Sequence, residues 1–134
     1  MSGEAIALLQ NYAVLKRRFT VQLSLLEDLR ALAKRAAEIL PETAAVLEER
    51  AKPLEIRLSE EVLELCEQIG LAENLIRQIQ NPLFKEVLER RYMQQAEYKE
   101  IAQAMHYSER HIRRLHRAAL EQVSDCFLQR ESIN

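Results

Sequence analysis

The side chains best equipped for chemistry crowd into one stretch, residues 97–117, which reads EYKEIAQAMHYSERHIRRLHR. Its second half, from His106 to Arg117, holds Arg110, Arg113, Arg114 and Arg117, one acid (Glu109) and all three histidines of the chain. Guanidinium groups fork onto guanine edges and bind phosphates, and a glutamate can accept from cytosine N4. A cluster of this kind on one helix face has the chemistry of a nucleic-acid contact. It catalyses nothing by itself.

The arginines need a scaffold, and the spacing supplies one. A short helix over Ala96–Met105, a turn at His106-Tyr107 and a second helix opening at Ser108 form a helix-turn-helix, whose second helix enters a DNA major groove. Ile101, Met105, Ile112 and Leu115 fall on the facing sides, and the small Ala102 lets the helices cross closely. His106 stands where the turn needs left-handed backbone, which histidine adopts more readily than most residues. Ser108 is a good N-cap, and Glu109 in the first turn suits the helix dipole. With Ile112, Leu115 and Ala119 turned inward, Glu109, Arg110, Arg113, Arg114 and Arg117 remain outside. His111 is placed to meet the DNA backbone and His116 to sit at a packing boundary. Lys99 and Tyr98, on the preceding helix, are candidate phosphate ligands.

Other chemistries find no support. The histidines at 106, 111 and 116 are five apart, whereas zinc ligands on one helix are usually four apart, and Cys66 and Cys126 are isolated. No metal site and no cofactor are expected. There is no Gly-rich phosphate loop and no nucleophile–base pair, so an enzyme is not expected. The acids Glu60, Glu61, Glu64 and Glu67 read as a solvated helix face.

Two glycines and three prolines in 134 residues are too few for the turns of a sheet protein, so the chain is expected to be all-α. The net charge of −2 argues against a general polyanion binder. Basicity is local: residues 1–80 carry ten basic and thirteen acidic side chains, residues 81–123 eight and six. No apolar run approaches the roughly 20 residues that cross a bilayer, and the first residues lack a basic start, so no membrane partner and a cytoplasmic location are expected.

Upstream, apolar residues step by three and four from Ala5 through Leu8, Tyr12, Leu15 and Phe19 to Leu40, interrupted by Gln22. This predicts a helix over about 4–39, stopped by Pro41. Residues 41–53 read as a connector, bounded by two prolines, with a short helix possible over Thr43–Ala51. A second long helix is expected over 54–80, striped by Leu58, Val62, Leu65, Ile69, Ala72, Ile76 and Ile79, with Gly70 allowing a close neighbour. At about 54 Å and 40 Å the two helices leave about ten residues of the first unmatched. That surface could be covered by a second copy, giving a homodimer, or by the C-terminal helices. Asn81-Pro82 caps a third helix to about Met93, which buries Leu83, Phe84, Val87, Leu88 and Tyr92, and Gln94-Gln95 makes a turn. The final helix runs to about Leu128.

Tyr107 to Val123 resembles the last helix of sigma-70 region 4, which reads the −35 promoter element, and Asn81 to Ala102 looks like that domain's preceding helices. The resemblance covers about a third of the chain. The whole layout is similar to small phage and prophage regulators of the RinA/ArpU-like kind, on the Arg91-Tyr92 pair, the Tyr107-Ser108 turn and Leu115-His116 followed by Ala119-Leu120. It implies control of phage or prophage transcription, with Ser108, Glu109, Arg110, Arg113 and Arg114 on DNA. The swapped character of Glu109 and Arg110 means that the ordinary −35 sequence is not implied, and no segment here resembles the part of a sigma factor that melts the −10 element.

The expectation is therefore a coiled-coil-like N-terminal helical hairpin over 1–80, serving dimerisation, and a sigma-region-4-like helix-turn-helix domain over 81–134 that binds double-stranded DNA. The alternative is a helical adaptor docking on RNA polymerase or a sigma factor without reading DNA.

Overall fold

A computed structural model describes residues 3–133, and these are helical almost throughout, with no strand among them. The helices are α1 (Gly3–Gln10), α2 (Tyr12–Ile39), α3 (Ala44–Arg77), α4 (Pro82–Leu88), α5 (Tyr98–Met105) and α6 (Glu109–Ile133). A 3-10 turn, Pro41–Thr43, joins α2 to α3, and a π-helical turn, Glu89–Met93, extends α4.

The packing divides into two compact units. One comprises Met1–Val14 with Gln68–Asn134, the other Leu15–Glu67. The second is an antiparallel hairpin of α2 and α3. Gln22 donates to the Glu61 carboxylate, and Arg30 Nε meets Glu55 Oε1 at 2.9 Å, so the pairings run in opposite directions along the two helices. Leu15, Leu26, Leu58 and Leu65 are buried in this unit. Pro41 acts as expected, since Leu40 before it leaves the helix at φ −127° and ψ 72°.

Pro53 does not. The connector predicted over 41–53 shortens to three residues, and α3 runs through the proline. An interior proline forfeits one backbone hydrogen bond and costs about 3 kcal/mol. Here its ring lies on the exposed side, flanked by strong helix formers, and Leu58 and Leu65 tie the same helix to α2. Gly70 is exposed with open space around it, so it serves no close helix approach.

In the other unit, the surface left over by the first helix is covered by the chain itself. Ala5 and Leu9 are fully buried in one cluster with Ala119, Val123 and Phe127 of α6, Leu75 of α3 and Ile79 just after α3. Burial of a side chain such as Leu9 contributes about 1.5–3 kcal/mol. Tyr12 closes this cluster, its hydroxyl donating to Glu73 Oε1 at 2.6 Å. The overhang therefore gives no reason for a second copy. Asn81 caps α4 as expected, its Oδ1 accepting from the Leu83 amide at 3.0 Å. Leu83 itself is exposed rather than buried, because it falls in the outward-facing first turn of α4.

Candidate nucleic-acid interface

Helix α5 begins after Glu97, whose amide donates to Glu100 Oε1 at 3.2 Å. It ends at His106, which adopts the left-handed conformation with φ 61° and ψ 41°, as the turn requires. The amides of His106 and Tyr107 both donate back to Ala102 O, satisfying a carbonyl that the helix end leaves open. Helix α6 then starts on Ser108, whose Oγ accepts from the His111 amide at 3.1 Å. Ile101, Ala102 and Ile112 form the buried seam with Val87 of α4, and Met105 and Leu115 pack against it. The cap, the turn and the seam agree with the spacing of the sequence.

This framework fixes which face of α6 is free. Glu109, Arg110, Arg113, Arg114 and Arg117 are exposed, as are Ser108 and Lys99. Among the described residues, no acidic side chain pairs with the four guanidinium groups. His106, Tyr107, Ser108, Arg110, His111 and Arg114 line an open depression at the start of α6. His111 is half-buried, with its ring 4.6 Å from that of Tyr107. The result is a cationic ridge beside a concave, donor-rich surface, suited to phosphates and base edges.

Tyr98 is placed otherwise than a phosphate ligand would be. It is half-buried, its hydroxyl lies 2.7 Å from His116 Nδ1, and the Tyr92 hydroxyl lies 2.6 Å from Nε2 of the same ring. A neutral imidazole has one donor and one acceptor nitrogen, so it can donate to one tyrosine and accept from the other. Burial, and after it the charge of Arg91, lowers the His116 pKa from 6.5 to about 4. Burial, and then the neighbouring Tyr98, pushes Tyr92 up to about 12. At neutral pH His116 and Tyr92 are therefore uncharged, and with Tyr98 they bridge the π-helical turn, α5 and α6.

Two guanidinium carbons, of Arg91 and Arg113, each lie 4.5 Å from the centre of the Tyr98 ring. Such contacts contribute about 0.5–1 kcal/mol at exposed sites. Arg91 also donates from Nη1 to Ala96 O at 3.0 Å, which fastens the turn before α5. Tyr98 thus connects an internal polar bridge to one arginine of the free face. Tyr92 is buried as its place on the third helix predicts, but its contact with His116, and the contacts of Arg91 and Tyr98, were not visible in the sequence. Tyr98 and Tyr92 are 18 and 24 positions from His116, and helical periodicity carries no signal for such contacts.

The geometry is that of a helix-turn-helix, the class of unit that places one helix in a DNA groove. Residues 81–125 match the family model described as Sigma-70, region 4, so this segment is similar to the helix-turn-helix of that family. Comparisons with curated proteins and with solved structures found no match. Among the described residues, no helix is long and apolar enough to cross a membrane.

Proposed function

We propose that the chain is a sequence-specific, DNA-binding transcription regulator of the phage or prophage type, acting in the cytoplasm as a homodimer and without catalytic activity. The observation that carries this reading is the unpaired arginine face of α6, held by a capped, left-handed turn inside a region that matches sigma-70 region 4. Arg110, Arg113 and Arg114 read base edges, with Ser108 and Glu109 at the helix start. Arg117, Lys99 and His111 hold phosphates, and Tyr98 steadies Arg113 from behind. Residues 81–134 supply DNA binding and residues 1–80 dimerisation, chiefly through the α2–α3 hairpin. RNA polymerase is a further partner.

A gel-shift titration with the DNA upstream of the chain's own gene, without RNA polymerase, tests this. A discrete shift competed poorly by unrelated DNA is expected. No shift alone, but a shift once polymerase or a sigma factor is added, would favour the adaptor reading instead.

A further inference from the structure

Helix α2 shows a second apolar stripe that the hairpin does not use. Val21, Leu25, Leu32 and Ile39 are 57%, 48%, 66% and 65% exposed. Leu25, Leu32 and Ile39 are seven apart, and Val21 shares a second sevenfold series with Asp28 and Arg35. These two series have the spacing of the a and d positions of a coiled coil. They lie on a different side of α2 from Leu15 and Leu26, which face α3. Asp28 and Arg35 are exposed, and among the described residues neither is in an ion pair.

The charges say what covers the stripe. In a parallel, in-register pair of α2 helices, Asp28 would face Asp28 and Arg35 would face Arg35, which repels at both levels. Run antiparallel about a two-fold axis near residue 30, Val21 of one copy meets Ile39 of the other, Leu25 meets Arg35 and Leu32 meets Asp28, with the two Leu32 side chains four residues, roughly 6 Å, apart along the axis. Asp28 of one copy then sits about three residues, roughly 4.5 Å, along the axis from Arg35 of the second copy. The apolar ends then cover each other and the opposite charges come within reach, so the stripe complements itself, as a two-fold interface requires.

We infer that α2 is a homodimerisation surface and that two copies join through it antiparallel, along Val21, Leu25, Asp28, Leu32, Arg35 and Ile39. This deepens the dimeric part of the proposed function and rests on that part alone. It is independent of the arginine face and needs no unmatched helix end.

The test uses the full-length chain with Cys66→Ser and Cys126→Ser, so that introduced thiols are the only ones. Sedimentation should show a dimer. Mixing Val21→Cys chains with Ile39→Cys chains should give a cross-linked heterodimer with a short bismaleimide, whereas Ile39→Cys alone should give none. Asp28→Arg should weaken the dimer about tenfold, and Asp28→Arg with Arg35→Asp should restore it. Circular dichroism checks that each variant keeps its helices. A chain that stays monomeric at its solubility limit, including one that joins only RNA polymerase, would overturn the inference. So would cross-linking of Ile39→Cys alone, the mark of a parallel pair, or failure of the double charge exchange to rescue. A monomer that still shifts DNA would sink this inference and leave the DNA-binding reading standing.

Discussion

His116 should make the fold sensitive to mild acid. Its ring is part-buried between Tyr92 and Tyr98, and its pKa in the folded chain is about 4 against an ordinary 6.5. The folded state then holds fewer protons than the unfolded state between these values, so stability rises with pH across that window. The contribution is fully present above pH 6.5 and is lost as the pH falls toward 4. Between pH 7 and pH 5 the full difference amounts to about 2 kcal/mol. The ring is not fully enclosed and water screens the Arg91 charge, so roughly 1 kcal/mol is the expected loss. Urea titrations at pH 7 and pH 5, on the wild type and on His116→Phe, isolate it. The phenylalanine variant cannot titrate, so its stability should change less with pH by about this amount. Equal pH slopes in the two proteins, or an NMR titration of His116 with a midpoint near 6.5, would refute the buried, neutral bridge.

Further predictions concern binding and the helices. Arg113→Ala should weaken specific DNA binding by about 1–3 kcal/mol, roughly 5- to 150-fold in Kd by fluorescence anisotropy, while leaving the melting temperature nearly unchanged. With Arg117 and Lys99 as the fixed cations on phosphates, log K should fall against log salt with a slope of about −2 for each bound copy, and a flat dependence would contradict a phosphate-contacting face. Gly70→Ala, with open space around the glycine, should stabilise the chain by up to about 1 kcal/mol in urea unfolding. Ser108→Ala removes the acceptor of the His111 amide and should cost about 1 kcal/mol of stability, with weaker DNA binding as the start of α6 frays.

What the sequence made legible followed from local rules. The Asn81 and Ser108 caps, the left-handed His106 and the Ile101–Ile112 seam depend on residues a few positions apart, or on the period of a helix, and the structure has them all. Pro53 was misleading because a local stop signal competes with tertiary packing, and an exposed ring in a helix anchored by Leu58 and Leu65 loses that competition. Periodicity marked Ala5 and Leu8 for burial without naming their neighbour, and the packing of α1 against α6 buries Ala5 and Leu9 fully and Leu8 only in part. The same limit hid the Tyr92–His116–Tyr98 bridge and the Arg113 contact behind it. For the arginine face itself, sequence and structure point the same way, because a side chain left over after the seam is filled has only solvent or a ligand to meet.

Selection of bound duplexes from a random DNA pool by the full-length protein, with no other protein present, bears most directly on the role of the α6 ridge. Recovery of one recurring motif, lost when Arg110, Arg113 and Arg114 are replaced together by alanine in a chain that still folds, is the predicted result. Enrichment of no motif, or an unchanged motif in the triple variant, would contradict it.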